Sequence, residues 1–378
     1  TFTITDFWGI LKDGRPFASD ARKFAFFCAA VGHAVVQGLL PKPTVFHCHD
    51  WHAAYLIILL RYDAALASLK KIRTVFTIHN LAMQGIRPLA GDRSSLNAWF
   101  PTLRYSLIPM QDLRYTDCLN PMRAAIVLAN KVHAVSPSYA EEILSPSDHA
   151  LGVYGGEGLE HDLGKRKKEN ALSGILNGCT YPENSQNIPP QSLTKSELAA
   201  LMLQSLERWA ASETILRSAH WLAEKHIAQW LAQERSGFVV TAISRLTEQK
   251  LRILHTCLPS GKTVLQTMLE GLGESGTMIV LGNGDPALET FFTKTAAEHE
   301  QLIFLNGYSD TLSSALYQSG DLFLMPSSFE PCGISQMLAM RAGQLCLVNG
   351  VGGLKDTVEH EKTGFVFSGE NVDEQAQA

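Results

Sequence analysis

Short apolar runs rich in β-branched residues alternate with longer helical stretches along the whole chain. The predicted strands of the first half are residues 44–49, 73–79 and 131–136, and each ends in polar or ionisable side chains. Those of the second half are residues 238–244, 277–281, 302–305, 321–326 and 344–348. Strands that alternate with helices indicate parallel sheets with crossover helices. The pattern therefore predicts an α/β fold with two doubly wound sheets, which bind ligands at the carboxyl ends of their strands.

A polar stretch with two prolines, residues 184–191, interrupts this alternation. Such a stretch is typical of a linker, so we place the hinge near residues 178–192. Leu, Ala and Trp then recur at helical spacing over residues 196–234, which predicts two further helices. The predicted domains are a first Rossmann-like domain at 1–178, a hinge and helical insertion at 179–235, and a second Rossmann-like domain at 236–378.

Composition and charge exclude several classes of protein. The 378 residues are 46% hydrophobic, which is enough to bury the cores of two folded domains. Lys and Arg number 32 against 37 Asp and Glu, without a long block of one sign, so we expect no nucleic-acid partner. The most apolar stretch, residues 24–40, contains His33 and Gln37 and is too short to span a bilayer. It is predicted to be a core helix, and we expect no membrane partner.

The cysteines and histidines suggest neither a disulfide framework nor a metal site. Seven cysteines are scattered along the chain without a CxxC pair, which favours a reducing compartment. His47 and His49 share one face of a predicted strand, but a zinc site needs three or four convergent ligands. We therefore predict no bound metal. Asp50 is predicted to cap the helix that begins at Trp51 and to face the ligand-binding edge of the sheet. His79 ends the next strand at the same edge, where it is either a ligand contact or an ordinary structural histidine.

Charged and glycine-rich loops follow the strands of the second half. Arg245 and Lys250, directly after the strand 238–244, can meet two oxygens of a diphosphate, or simply lie on an exposed helix start. Gly333 allows backbone N–H groups at a helix start to approach an anion, and Glu330 either adds a carboxylate there or is solvated. The glycines of residues 350–355 predict a second turn of the same anion-binding edge. The partial dinucleotide pattern at 282–287 is predicted to be a tight turn.

Nine segments in family order then give the chain its resemblance to bacterial glycogen synthases and plant starch synthases. They are residues 49–52, 77–85, 135–143, 156–159, 174–178, 244–250, 307–308, 329–333 and 352–354. These relatives are retaining glucosyltransferases of the GT-B architecture. The resemblance implies two Rossmann-like domains with parallel sheets that face a central cleft. The residue eight after Glu330 is Leu338 instead of a second glutamate, which favours the synthase branch of the retaining glycosyltransferases.

The resemblance also implies a role for each matching residue. Arg245 and Lys250 neutralise the leaving diphosphate, while Glu330 supports the oxocarbenium-like glucose. Asp50 and His79 contact the glucose from the opposite domain. The residues implied to bind substrate are Asn177 at the interdomain seam, Tyr308 against the adenine, and Cys332, Gly333, Ile334 and Ser335 around the sugar hydroxyls and the distal phosphate.

The implied reaction transfers glucose, with retention, from ADP-glucose to the non-reducing 4-hydroxyl of an α-1,4-glucan such as glycogen or starch. Arg245, Lys250 and a helix terminus supply the positive potential, so no metal or other cofactor is expected. A bacterial protein of this kind acts in the cytoplasm, and a plant or algal one in the plastid. Two alternatives remain: a catalytically silent glucan-binding homologue, and a different GT-B enzyme such as a sucrose-type synthase.

The chain departs from the family pattern at four places. The lysine-glycine-glycine-leucine loop expected near the N-terminus is not found, and the returning C-terminal segment is not found beyond Ala378. Cys179 and Thr180 replace the end of a motif that has an aspartate, and Leu251 stands where a glycine is expected after Lys250. These departures weigh against activity, and the loss of the N-terminal loop favours the silent homologue as an alternative.

Overall fold

The computed structural model describes residues 16–181, 193–214, 217–233 and 237–378. The chain forms two compact units. The first unit comprises Thr1–Ser147 and Tyr154–Ile175, and the second comprises Asp148–Val153 and Leu176–Ala378. Most of the predicted hinge, residues 182–192, lies outside the described residues.

The first unit is built on a sheet of four parallel strands. In spatial order they are β1 (Val45–His49), β2 (Arg73–Ile78), β5 (Lys131–Ala134) and β6 (Leu172–Gly174). A separate antiparallel pair consists of β3 (Arg87–Pro88) and β4 (Cys118–Leu119). The α-helices are α1 (Pro16–Val36), α2 (Asp50–Tyr62), α3 (Leu96–Trp99), α4 (Pro121–Leu128), α5 (Pro137–Glu142) and α6 (Glu160–Lys168). A 3₁₀ helix, Ala64–Leu69, follows α2.

The apolar stretch predicted as a core helix is only partly buried. Residues 24–36 of it lie in α1, which packs against α2 but leaves Phe26 60% and Phe27 52% exposed. The buried core helix is instead α2, in which every residue from Ala54 to Leu60 is buried. An outer helix buries one stripe against its neighbour, so an apolar composition alone did not reveal which helix would be central.

The second unit contains a sheet of six parallel strands. In spatial order they are β12 (Gly364–Phe367), β11 (Leu345–Asn349), β10 (Leu322–Met325), β7 (Val239–Ile243), β8 (Thr277–Leu281) and β9 (Leu302–Leu305). Counted from β7, this order is the doubly wound 3-2-1-4-5-6 pattern of a Rossmann fold. The sequence analysis predicted five of these strands and missed the edge strand β12.

Helices cover this second sheet. They are α7 (Lys195–Ser212), α8 (Ser218–Ala232), α9 (Glu248–His255), α10 (Val264–Leu272), α11 (Pro286–Glu298), α12 (Asp310–Ser319), α13 (Ser335–Arg341), α14 (Gly352–Thr357) and α15 (Val372–Gln377). The two helices predicted for residues 196–234 are α7 and α8. Their apolar side chains, including Met202 and Ile227, join one hydrophobic cluster with Ile279 and Ile303 of the sheet. The helix pair is therefore a packed layer of the second unit.

Candidate active site

The strand order of the second unit reverses between β7 and β10, which are neighbours in the sheet. Open α/β sheets bind ligands outside the carboxyl ends of their strands at such a switch point. The two predicted cations, Arg245 and Lys250, follow β7, and the loop with Ser327 and Glu330 follows β10. The topology therefore brings the two charged motifs of this unit to one edge of one sheet.

A buried ion pair lies at this edge. Lys250 Nζ contacts Glu330 Oε2, and the side chains of the two residues are only 16% and 8% exposed. Ser327 Oγ also donates a hydrogen bond to Glu330 Oε2 at 3.2 Å. The backbone carbonyl of Glu330 accepts from the N–H of Gly353 at 3.1 Å. The carboxylate is thus held by Lys250 and Ser327, and the backbone behind it by Gly353. A group that must meet a developing positive charge is preorganised in this way.

The loop that carries Glu330 is tied to its neighbours by polar side chains that the sequence analysis did not single out. Gln249 Nε2 donates to the backbone carbonyl of Phe329 at 3.0 Å. The backbone carbonyl of Gln249 also accepts from the N–H of Ser328 at 3.0 Å. Asn349 Nδ2 donates to the carbonyl of Ser327 at 3.0 Å. Each residue lies in or beside a predicted motif, but only the folded chain shows which carbonyl it meets.

Arg245 is placed differently from Lys250. Its side chain is exposed at the end of β7 and makes no hydrogen bond or ion pair within the part of the chain that the structure describes. The two cations predicted to act as a pair are therefore unlike: Lys250 is bound to a carboxylate, and Arg245 is open. An exposed guanidinium keeps its fork of donors available to two oxygens of a phosphate group.

The glycine motif after Glu330 forms a tight bend before α13. Gly333 has φ +75°, and an added Cβ there would lie 2.4 Å from Oε1 of Gln336. The Nε2 atom of Gln336 donates to the carbonyls of Cys332 and Gly333, each at 3.1 Å. Ile334, directly before the helix, is 48% exposed, whereas the first helical residue, Ser335, is half-buried.

Cys332 is a packed thiol within this bend. Burial raises its pKa, while a hydrogen bond from the backbone N–H of Asn177 acts in the opposite direction. The structure thus brings Asn177 against Cys332 through the backbone of Asn177. A thiol whose pKa is raised holds little thiolate at neutral pH, which agrees with a contact role rather than a nucleophilic one.

The second glycine turn, predicted to share an anion-binding edge with the first, packs against the backbone of the Glu330 loop. Gly352 has φ +44°, and a Cβ there would lie 2.0 Å from the carbonyl oxygen of Glu330. The N–H of Gly353 already donates to that same oxygen. These glycines let two backbones approach closely, and they support the Glu330 loop from behind. The pattern at 282–287 is not the predicted tight turn: Gly284 forms a parallel bridge with Leu246, and Asp285 is the N-cap of α11.

Tyr308 follows β9 and is 66% exposed. Its hydroxyl donates to Asp310 Oδ1, and its backbone carbonyl accepts from Trp209 Nε1 at 3.2 Å. The structure therefore presents a large aromatic ring at the carboxyl edge of the same sheet that carries Lys250 and Glu330.

In the first unit, Asp50 and His79 come together at the carboxyl ends of β1 and β2. Asp50 does not cap α2, as the sequence predicted: the cap position is His49, without a side-chain bond. Asp50 is instead the first helical residue, at φ +53°, and its Oδ1 accepts from the N–H of His79 at 2.8 Å. Asp tolerates this left-handed conformation better than most residues, so the side chain can turn across to the neighbouring strand.

Histidines line one face of this first sheet. His49 Nδ1 and His79 Nε2 share a hydrogen bond of 2.9 Å. Thr77 Oγ1 lies between His47 Nε2 at 2.6 Å and His133 Nδ1 at 2.9 Å. Burial, followed by the neighbouring histidines, lowers the pKa of both His47 and His49. Burial also raises the pKa of Asp50, against the opposing hydrogen bond from His79.

The described residues hold neither a candidate metal cluster nor a candidate membrane span. Within residues 16–181, 193–214, 217–233 and 237–378, no three or more His, Cys, Asp or Glu side chains are grouped so that they could hold a metal ion. No helix among the same residues is both long and apolar enough to cross a bilayer.

Comparisons with known proteins match both units. A family model described as "Starch synthase catalytic domain" matches residues 4–165, and one described as "Glycosyl transferases group 1" matches residues 265–378. A glycogen synthase of Streptococcus equi subsp. equi (strain 4047) is 34% identical, over 97% of this chain and 71% of the relative. A glycogen synthase of Anoxybacillus flavithermus is also 34% identical, over 93% of this chain and 67% of the relative.

Solved structures agree with these matches. The catalytic domain of starch synthase IV from Arabidopsis thaliana, solved with ADP and acarbose bound, is similar with a TM-score of 0.67 and 25% identity. The match covers 95% of this chain and 69% of that one. A sucrose-phosphate synthase from Thermosynechococcus elongatus is similar with a TM-score of 0.51 at 15% identity, over 97% and 69% of the two chains, which supports the fold alone.

Proposed function

The chain belongs to the glycogen synthase family of GT-B glycosyltransferases, and from this we propose that it moves glucose from ADP-glucose to the non-reducing 4-hydroxyl of an α-1,4-glucan, with retention. Family membership supports a glycosyltransferase with a nucleotide-sugar donor and a glucan acceptor. The choice of ADP-glucose rests further on the resemblance and on the similar Arabidopsis domain, which was solved with ADP and acarbose.

The observation that carries the proposal is the group of charges at the switch point of the second sheet. When the bond between glucose and diphosphate breaks, negative charge grows on the phosphate and positive charge on the sugar ring. Arg245 is open to the first charge, and Glu330 is fixed to meet the second. Preorganised groups of this kind stabilise a transition state without reorganising during the reaction.

Lys250 takes two partners in this proposal. Without donor its ammonium neutralises Glu330, which keeps a buried carboxylate from standing alone. With donor bound, the diphosphate supplies a second anion within reach of the same flexible side chain. A lysine, which is a compact charge on a long stem, can move between such partners more readily than a planar guanidinium.

The other site residues keep the roles that the resemblance implies. Asp50 and His79 are proposed glucose contacts, and Tyr308 is the proposed surface for the adenine. The proposed contacts for sugar hydroxyls and the distal phosphate are Asn177, Cys332, Gly333, Ile334 and Ser335. We propose that the reaction needs no metal or other cofactor, since Arg245 and Lys250 offer the charge that a metal would supply.

We propose the cytoplasm as the compartment, or the plastid for a plant or algal protein. The scattered spacing of the seven cysteines, without a CxxC pair, supports this proposal.

Incubation with ADP-[¹⁴C]glucose and glycogen tests the proposal. We expect label in the polymer, released as labelled maltose by an enzyme that cuts α-1,4 bonds, and more incorporation from ADP-glucose than from UDP-glucose. Glycogen binding without incorporation would instead support the silent glucan-binding homologue. Label on a small acceptor would support a different GT-B enzyme.

A further inference from the structure

Two backbone carbonyls of the turn that carries Tyr308 are hydrogen-bonded to side chains of the helix pair α7 and α8. Trp209 of α7 donates from Nε1 to the carbonyl of Tyr308 at 3.2 Å. His220 of α8 binds the carbonyl of Asn306 through Nε2 at 3.1 Å. Both carbonyls lie within three residues of each other at the end of β9, so this short turn has little freedom left.

Trp209 also shapes the turn by contact. Its ring packs so closely on Gly307 that a Cβ on that glycine would lie 2.5 Å from Cδ2 of the indole. The rings of Trp209 and His220 lie near each other, with centroids 6.0 Å apart. The indole therefore fills the space beside Gly307, and a larger residue at this position would clash with it.

The His220 contact is buried. His220 is 3% exposed and Asn306 is 4% exposed, so the hydrogen bond between them is shielded from water. The second ring nitrogen of His220, Nδ1, lies 3.9 Å from Glu213 Oε2. A buried polar contact rigidifies the segments that it joins, because breaking it would leave both groups unsatisfied.

A second connection leads from the same helix pair to the neighbouring loop after β8. Arg217 pairs with Glu213 at 2.9 Å and with Glu289 at 3.3 Å. Glu289 Oε1 in turn accepts from the N–H of Gly284 at 3.0 Å. Since β8 and β9 are adjacent in the sheet, α7 and α8 contact the segments that follow both strands at their carboxyl ends.

We propose that Trp209 and His220 are positioning residues that fix the Tyr308 ring for the nucleoside base of the donor. This inference rests on the proposed function, because it takes the donor to be a nucleotide sugar. Tyr308 keeps a 66% exposed ring on a backbone that is already ordered. A base that stacks on this ring does not bear the entropic cost of ordering the turn. The hydrogen bonds of Trp209 and His220 therefore increase the affinity for the base, although neither side chain contacts it.

The affinity for ADP, measured by titration calorimetry on the full chain, tests this inference. Trp209→Phe keeps an aromatic ring but removes the N–H donor, and we expect it to raise the Kd for ADP about fivefold. The Kd for pyrophosphate, which has no base, stays unchanged. The matched control is Trp221→Phe, since Trp221 lies on the same helix pair and is 59% exposed. It leaves both constants unchanged.

A double variant separates positioning from general damage. Tyr308→Ala, at an exposed position, weakens ADP binding about tenfold through the lost stacking. If Trp209 acts through Tyr308, adding Trp209→Phe to Tyr308→Ala produces no further loss. Equal losses for ADP and pyrophosphate, additive losses in the double variant, or an unchanged Kd in Trp209→Phe would each overturn the inference.

Transfer of glucose by the wild-type chain, measured on the same preparation, keeps the inference distinct from the proposed function. A wild-type chain that binds ADP but transfers no glucose contradicts the function alone, and the variants still decide the inference. A wild-type chain that binds no ADP contradicts both. An active wild type with an unaffected Trp209→Phe variant contradicts the inference alone.

Discussion

The contact between Lys250 and Glu330 is the residue-scale feature with the greatest consequence. Both side chains are nearly buried, and Ser327 adds a hydrogen bond to the carboxylate. Removing one partner of such a pair leaves an uncompensated charge, which is far more costly than the net contribution of the intact pair. If Glu330 were truncated, a loss of activity could come either from the lost carboxylate or from unfolding of the chain. A variant with a side chain of the same shape is therefore needed.

Glu330→Gln is that variant. It keeps the size of the side chain and an acceptor for Ser327 but removes the negative charge that supports the sugar ring. We expect glucosyl transfer to fall at least about 100-fold, as for other lost electrostatic contacts in active sites. Tm also falls because Lys250 loses its counter-charge, but it falls less than in Glu330→Ala, since the amide oxygen can still accept hydrogen bonds. The control is Glu270→Gln, which removes the charge from an exposed pair with Lys262 and leaves transfer unchanged. Transfer at the wild-type rate in Glu330→Gln would exclude the carboxylate from the reaction.

Arg245→Ala tests whether the exposed guanidinium of Arg245 binds the diphosphate of the donor. Because the guanidinium is exposed and lacks a partner in the described chain, we expect Tm to stay unchanged. The KM for the donor rises about tenfold, since a charge-assisted hydrogen bond contributes roughly 1.5–3 kcal/mol. Lys294→Ala, another exposed cation of the second unit, serves as the control. An unchanged donor KM in Arg245→Ala would show that this arginine does not meet the diphosphate.

At the scale of elements, most strands were predictable and the details of their ends were not. β8 and β9 lie at the predicted residues, because buried parallel strands are continuous apolar runs. β12 was missed because a four-residue edge strand with only one buried position carries no clear pattern. Asp50 was assigned to a helix cap because its partner, the N–H of His79, is distant in sequence. The support that Gln249 gives to the loop of Glu330 was hidden for the same reason, since it lies about 80 residues before that loop.

The histidine face of the first sheet predicts a pH dependence of stability. Burial lowers the pKa of His47 and His49, so the folded chain binds fewer protons there than the unfolded chain. The free energy of unfolding is therefore unaffected by the titration of these two histidines above about pH 6.5, and it decreases as the pH falls from there towards their lower folded pKa. We expect Tm to drop between pH 7 and pH 5, and to drop less in His49→Asn, as followed by circular dichroism.

The titration of Asp50 changes the stability of the folded chain in the opposite direction. Its raised pKa means that the folded chain binds a proton more readily, so its contribution to stability increases as the pH falls through the folded pKa. The Asp50→Asn variant is therefore expected to show a steeper acid loss of Tm than the wild type. If His49→Asn lost Tm with the same slope as the wild type, the histidine face would not be the source of the effect.

At the scale of the whole molecule, the strand order explains why the motifs of the second unit meet. Arg245 and Glu330 are 85 residues apart in the sequence, yet β7 and β10 are neighbours at the point where the order reverses. The sequence could predict that both motifs follow strands, and the family resemblance could predict that they act together. Only the pairing of β7 with β10 provides the physical reason, because adjacency in a sheet is decided by packing of the whole unit.

Hydrogen–deuterium exchange of the full chain, with and without ADP, is the most direct test of a donor site at this switch point. We expect ADP to slow exchange in peptides that cover residues 244–252, 306–310 and 327–336. Peptides from the opposite end of the same sheet, such as the start of β8 at Thr277, are expected to exchange at the same rate in both conditions. Protection confined to peptides outside the switch-point loops would contradict the account.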